Sequence, residues 1–333
     1  MKIAIIKSTD SIVATGGVKV QGLMWAKGLR EIGHSVDLIN FWESYDWTVY
    51  DVIIVLEFGG MFRVIMKTLS LHNNNIVVAP IIDPYTSKAI FKFFVKYWGF
   101  QKHLGLSSRF HDLYLGSKYA KLFLTRSIQE TEYLSYSCGI QANRIRLVPL
   151  SLRFDPLKEM PSKEKFCFHA SRLASPNKNV ERLIKAAIKY HFNLVLAGYT
   201  TSSDREWLYN LIKSHDNIQY LGIISDSELC NYYKRAKVFA LPSLIEGVGM
   251  VALEAAAYGC EIVLTNVGAP KEYFQEHAEL VNPKSIDEIG KAIIRCLEKE
   301  IHQPDLLRFI ENNYTIQACS KKLEAAISTI NTI

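Results

Sequence analysis

No window of the sequence reaches the roughly 18 uninterrupted apolar residues that a bilayer-spanning helix requires, so membrane contact, if there is any, is expected to be peripheral. The opening MKIAIIKSTD turns polar after a four-residue apolar run, too short for the core of a signal peptide, and reads as a first buried strand. The six cysteines, Cys138, Cys167, Cys230, Cys260, Cys296 and Cys319, contain no C-x-x-C pair. Buried reduced thiols in a reducing compartment are expected rather than disulfides or zinc, which places the chain in the cytoplasm, peripherally at the inner face of the membrane if it meets one. No D-x-D pair follows an apolar strand and no His or Cys cluster has ligand spacing, so no metal and no other cofactor is expected. The absence of G-x-G-x-x-G after the first strand argues against an NAD dehydrogenase. There is no repeat of solenoid length and no low-complexity tract.

What is present suits a soluble globular protein of two domains. The 333 residues exceed what a single core usually fills, and 49% hydrophobic against 22% charged residues supply two cores. Short runs rich in Ile, Val and Leu alternate with stretches of helical period, the α/β pattern of βαβ units around a parallel sheet. Strands are expected at 3–6, 36–39, 52–56, 76–81, 122–124 and 145–148, and in a second series at 166–169, 193–197, 218–221, 238–241 and 262–264. The first helix is well marked, with Val18, Gly22, Trp25, Leu29 and Ile32 on one face and Gly33 as its stop. Between the two series, PLSLRFDPLKEMPSKEK holds three prolines and no clear period, and reads as a linker. From Ser285 onward the pattern is helical.

The segment ALPSLIEGVGMVALEAAAYGC (240–260) carries the most chemistry. A strand ends at Pro242, a loop holds Glu246, Gly247 and Gly249, and a helix starts near Met250 and stops at Gly259. Such a turn brings backbone N–H groups and the positive end of a helix dipole toward an anion, and a phosphate fits. Glu246 and Glu254 are suited to accept hydrogen bonds from sugar hydroxyls; taken alone they are equally a solvated loop residue and an exposed helix residue. The segment HASRLASPNKNVERLIKAA (169–187) sets Arg172 and Lys178 in a loop before a helix; taken alone they are solvated loop cations or a pair able to stabilise negative charge.

EGVGMVALEAAAYG resembles the E-x7-E signature of the retaining glycosyltransferases of GT-B fold, most closely family 4, the glycosyl transferases group 1. The resemblance spans nearly the whole chain, strongest from 166 to 270 and thin from 40 to 120. It implies two Rossmann-like doubly wound domains facing a central cleft: an acceptor domain at 1–150, a linker at 151–165, and a nucleotide-sugar donor domain at 166–314, with a helix at 315–331 free to pack back onto the first domain. It also implies that Glu246 contacts the transferred sugar, Glu254 binds the ribose hydroxyls, the loop with the Gly249, Met250 and Val251 backbone holds diphosphate and sugar, and Arg172 and Lys178 clamp the diphosphate. Gly16-Gly17-Val18, closing the stretch from Ser8, resembles the family's N-terminal loop that reaches the donor phosphates. Tyr220-Leu221-Gly222 resembles its base-binding turn, and Asn266 to Pro270 with Glu272 the loop before its closing helices. The implied activity is transfer of a hexose such as glucose or mannose from a UDP or GDP sugar to a hydroxyl acceptor without a metal.

The acceptor side departs from the pattern. Many members carry a His at the end of the fourth strand, where this chain reads IVVAPIIDPYT, with Asp83 in that place. Either Asp83 takes the polar role at the reacting centre, or His103 or His111 approaches from the following stretch, or the leaving phosphate activates the acceptor; Asp83 is also suited to be a turn former before Pro84. Between Tyr85 and Arg126 stand eight basic residues against one acid, the whole excess behind the net charge of +6. Within it, KAIFKFFVKYWGF (88–100) places Lys88, Lys92 and Lys96 within about 80° of one another, with Phe91, Phe93, Phe94, Tyr97 and Trp98 opposite. That is the profile of an interfacial helix serving a lipid-linked acceptor, or of a core-packed helix with a solvated lysine stripe. Nucleic-acid binding fits less well, because aromatic bulk dominates. Two other readings stand beside the transferase: a non-catalytic membrane-associated nucleotide-sugar-binding protein, and a GT-B epimerase relative.

Overall fold

The computed structural model describes residues 1–7, 16–59, 61–83, 86–98, 100–101 and 106–332. They divide into two compact units, one of Met1–Arg153 with Ile316–Ile333, the other of Phe154–Thr315. Among the described residues no helix is long and apolar enough to cross a membrane.

Unit one runs β1 (Lys2–Lys7), α1 (Gly17–Glu31), β2 (Ser35–Leu38), β3 (Val52–Leu56), α2 (Phe62–Leu69), β4 (Ile76–Ala79), α3 (Lys88–Lys96), β5 (Phe100–Gln101), β6 (Leu106–Ser107), α4 (Arg109–Ser117), β7 (Leu122–Thr125), α5 (Ile128–Cys138) and β8 (Ile145–Leu147). Its six-stranded sheet has the order β2-β1-β3-β4-β7-β8, with every pairing parallel. β3, β4 and β7 are buried at every residue, as inner strands covered on both faces must be. Alternation along the strands divides the apolar residues between two cores. Ala4, Ile6, Ile53 and Val55 pack with Phe62, Met66 and Leu134 on one face; Ile3, Ile5 and Ile54 pack with Trp25 and Leu29 of α1 and with Leu323 and Ile327 on the other. The last two come from the C-terminal helix of the chain.

Unit two runs β9 (Glu164–Ala170), α6 (Val180–Tyr190), β10 (Leu194–Ala197), α7 (Ser202–Ile212), β11 (Ile218–Tyr220), α8 (Asp226–Arg235), β12 (Ala236–Leu241), α9 (Met250–Ala257), β13 (Glu261–Thr265), α10 (Pro270–Phe274), β14 (Glu279–Val281), α11 (Ile286–Glu298) and α12 (Asp305–Tyr314). The chain then returns to unit one as α13 (Ile316–Ser328), which lies against α1. The sheet of unit two is again parallel and six-stranded, in the order β11-β10-β9-β12-β13-β14. The strand order reverses between β9 and β12, and ligands of doubly wound sheets bind outside the carboxyl ends of the strands at that switch point. The loops leaving β9 and β12 are the two segments singled out by their chemistry.

The expected strands are all present, with ends moved by one or two residues. β14, and the antiparallel pair β5 and β6, are additions of two or three residues each, too short to leave a period in the sequence. The aromatic residues expected on one side of α3 divide, with Phe91 buried, and the lysine stripe is not fully solvated. Its lysines are half-buried, and Phe93, with Tyr97 and Trp98 just beyond its end, is exposed. The cause is packing on α4 and α5: Lys92 Nζ lies 4.4 Å from the ring centre of Tyr136, Lys96 Nζ 5.9 Å from that of Tyr114, and Lys88 pairs with Glu132.

Candidate functional site

β9 ends in His169 and Ala170, inside the sheet. His169 is fully buried; its Nδ1 lies 2.7 Å from the carbonyl oxygen of Ala240 in β12, and its Nε2 lies 2.7 Å from Ser171 Oγ. Burial pushes its pKa down to about 4, so the ring is neutral at physiological pH and serves to join the ends of β9 and β12. Beyond it the chain turns through Arg172, which is exposed, into the short 3-10 turn Pro176–Lys178 and then α6.

Asn177 fastens this loop to the one after β12. Its backbone carbonyl accepts from Leu244 N at 2.8 Å, its Nδ2 donates to the Ile245 carbonyl at 2.9 Å, and its Oδ1 accepts from Ile245 N at 3.1 Å. The side-chain amide pairs with Ile245 as a neighbouring strand would. Asn179 adds bonds from its Nδ2 to the carbonyls of Pro242 and Pro283, at 2.8 and 2.7 Å. Lys178, held between these two asparagines, lies with Nζ 2.7 Å from Glu246 Oε2, and Ser243 Oγ donates to the same oxygen at 2.9 Å. Both ionic side chains are mostly shielded, 19% exposed for Lys178 and 13% for Glu246.

A third loop closes on Glu246. Glu246 N donates to the Val267 carbonyl, and Ala269 N to the Glu246 carbonyl, each at 3.2 Å. Gly268 between them has φ +108°, and a Cβ there would stand 1.9 Å from the Glu246 carbonyl oxygen, so only glycine fits. Gly249, at φ +82°, turns the chain into α9 and provides no side-chain cap. The amides of Met250 and Val251 open the helix there, where first-turn N–H groups have no partner within the helix. Glu254 is not an exposed helix residue: it is 1% exposed, and its Oε2 accepts from Tyr233 Oη at 3.4 Å. Gly222, in the turn after β11, has φ +78°, and its carbonyl accepts from Gly198 N at 2.8 Å.

The remaining expected site residues lie in unit one. Gly16 caps α1 in an extended conformation and Gly17 is its first residue; the stretch from Ser8 to Thr15 lies outside the described residues, as does His103. His111 is part of α4, with Nδ1 3.0 Å from the Val95 carbonyl, a link between α4 and α3. Asp83 is exposed beyond β4, and its Oδ1 accepts from Arg126 Nη2 at 2.7 Å. The Arg126 Nε donates to Glu130 Oε2 at 3.1 Å, and Glu130 also accepts from the backbone amides of Ile82 and Arg126, at 2.6 and 2.7 Å. Asp83 is therefore held from the end of β7 by a largely shielded arginine. Ile81, at φ +58°, bends the chain just before it, a strained conformation for a β-branched residue. The sequence signalled neither Arg126 nor Glu130 as a site residue, and it gave Asn177 no role. The signal that existed for Asn177 was its place beside Lys178.

The family model described as glycosyl transferases group 1 matches residues 154–316, the span that contains both loops and the Lys178–Glu246 contact. That stretch is similar to the glycosyl transferases group 1 family. It is 29% identical over 134 residues to the O-antigen chain mannosyltransferase B of Escherichia coli, covering 38% of this chain and 35% of that protein. It is 33% identical over 142 residues to an uncharacterized glycosyltransferase of Methanocaldococcus jannaschii, covering 40% and 36%. The match thus spans little more than a third of either relative. Among solved structures, Anabaena HepE in complex with UDP superimposes with a TM-score of 0.73 at 15% identity, over 99% of this chain and 100% of that one. The fold is GT-B, and the stretch that resembles glycosyl transferases group 1 forms its second Rossmann-like half.

Proposed function

We propose that the protein is a retaining, metal-independent glycosyltransferase that moves a hexose, such as glucose or mannose, from a UDP- or GDP-linked donor to a hydroxyl group. The observation that carries this reading is the contact of Lys178 with Glu246 at the switch point of a parallel sheet. A cation and an anion fixed side by side match the two halves of a nucleotide-sugar: a diphosphate that leaves with negative charge, and a sugar whose hydroxyls donate to a carboxylate. When donor binds, Lys178 divides its attraction between Glu246 and the diphosphate. Arg172 supplies a second cation, and the Met250 and Val251 amides add the positive end of α9. Glu254 takes the ribose hydroxyls once its contact with Tyr233 yields. The bond from the anomeric carbon to the bridging oxygen breaks and its electron pair goes to the diphosphate. The acceptor oxygen adds to the same face, and its proton passes to a leaving phosphate oxygen.

Asp83, gripped by Arg126, is in this reading the polar group that meets the acceptor, and a lipid-linked acceptor accords with the basic stretch around α3. Relatives named as mannosyltransferases and a structural neighbour bound to UDP support the choice of donor class. Proton NMR of the sugar first released by slow donor hydrolysis tests the stereochemistry. Release of the donor's own anomer is expected; the opposite anomer would overturn retention.

A further inference from the structure

α3 is apolar on two opposite sides. Phe91 and Val95 are buried in the core of unit one. On the outer side Ile90 is 49% exposed, Phe93 49%, Tyr97 73% and Trp98 56%. These outer rings form one continuous ridge: the Phe93 ring centre lies 6.0 Å from Phe94, 6.2 Å from Tyr97 and 6.1 Å from Trp98. A single exposed apolar residue is ordinary on a protein surface, but a contiguous group of large rings marks a contact site. Nothing within the described part of unit one covers this group, since α4 and α5 pack against the inner side and flank of the helix, as the Lys92–Tyr136 and Lys96–Tyr114 contacts locate them.

The charge around the ridge selects the occupant. Lys88, Lys92 and Lys96 line one flank of α3, where Lys88 pairs with Glu132 while Lys92 and Lys96 face tyrosine rings, with no carboxylate partner among the ion pairs of the described residues. Tyr and Trp favour the boundary between hydrocarbon and water, where the ring is buried and the polar edge stays wet. A ridge of Ile, Phe, Tyr and Trp bordered by lysines therefore complements a bilayer that carries negative headgroups, with rings entering the boundary layer and ammonium groups beside phosphates.

We infer that α3 lies flat on an anionic lipid surface and docks the protein there through Ile90, Phe93, Tyr97 and Trp98. This docking does not depend on glycosyl transfer, and a protein that released no nucleotide would still show it.

The test is co-sedimentation of the full chain with vesicles of phosphatidylcholine alone or mixed with phosphatidylglycerol. Binding to the mixed vesicles is expected, weaker at high salt and about tenfold or more weaker for phosphatidylcholine alone. Phe93→Ser with Tyr97→Ser and Trp98→Ser should lower the affinity roughly tenfold or more. Lys92→Gln and Lys96→Gln, which leave the ridge intact, should each lower it about fivefold at low salt. Circular dichroism and nucleoside diphosphate affinity should be unchanged in every variant. In the unmodified protein, phospholipid brominated on its acyl chains should quench tryptophan emission, and Trp98→Phe should remove most of that quenching; this arm keeps its force if the triple variant fails to fold. Absence of binding by the unmodified protein, equal binding to both vesicle types, or absence of quenching would overturn the inference. So would a concentration-dependent dimer, in place of vesicle binding, that the serine variants dissolve, since the ridge would then be the seat of a second copy.

Discussion

Lys178 Nζ and Glu246 Oε2 stand 2.7 Å apart, although 68 residues of chain separate them. The contact joins the loop after β9 to the loop after β12, and it gives each ion the partner it needs in a site mostly closed to water. Removing Glu246 leaves Lys178 shielded without its carboxylate, whereas removing Lys178 leaves Glu246 the hydrogen bond from Ser243, so the two single variants are unequal in their consequences.

Glu246→Ala removes the carboxylate meant for the sugar and leaves Lys178 free for phosphate. Turnover of the donor should fall by roughly 100-fold to 1000-fold, while affinity for the nucleoside diphosphate stays the same or rises. Calorimetric titration beside a nucleotide-release assay reads both. Turnover close to that of the unmodified protein would remove Glu246 from the reacting centre.

Lys178→Ala should weaken both quantities, with nucleoside diphosphate affinity reduced about tenfold or more. The double variant should lose less than the sum of the two single losses, with a coupling of about 1–3 kcal/mol. Strict additivity in a thermal or denaturant unfolding cycle would mean that the pair does not act as a unit.

Asn177→Leu takes away both side-chain bonds to Ile245. A loss of about 1–3 kcal/mol is expected from the unpaired Ile245 groups, together with a fall in turnover larger than the fall in nucleoside diphosphate affinity. Asn177→Asp keeps the oxygen that accepts from Ile245 N and should recover part of the stability. A leucine variant with unchanged melting temperature and unchanged turnover would contradict the role.

His169 titrates at about 4 in the fold because burial opposes its charged form, against an ordinary value near 6.5. As pH falls below the unfolded value, the unfolded chain takes up a proton that the native ring does not, so stability declines from about pH 6.5 toward pH 4 and the decline ends below the folded value. The contribution lost is on the order of a few kcal/mol. Melting curves across this range should show the slope in the unmodified protein and lack it in His169→Gln; equal slopes would contradict the assignment.

The sheets were legible because inner parallel strands must be apolar at every position, so runs such as VIIVL and IVVA announce themselves. The donor loops were legible because glycine and glutamate stand in a fixed pattern at 246–254 and the two cations in a loop at 172–178. Their meeting was not. The Lys178–Glu246 contact depends on β9 and β12 being neighbours in space, and the role of Asn177 depends on a side-chain amide imitating a peptide group, which no spacing reveals. The outward face of α3 was hidden for a related reason: periodicity says which residues share a side, and only the positions of Tyr114, Tyr136 and Glu132 decide which side turns inward.

The most direct measurement is nucleoside diphosphate release when the protein meets a panel of UDP- and GDP-sugars in the presence of a chelator. Slow release from at least one donor is predicted, undiminished by the chelator and abolished by Glu246→Ala. Tight donor binding with no release from any member of the panel, or release that requires a divalent metal, would contradict it.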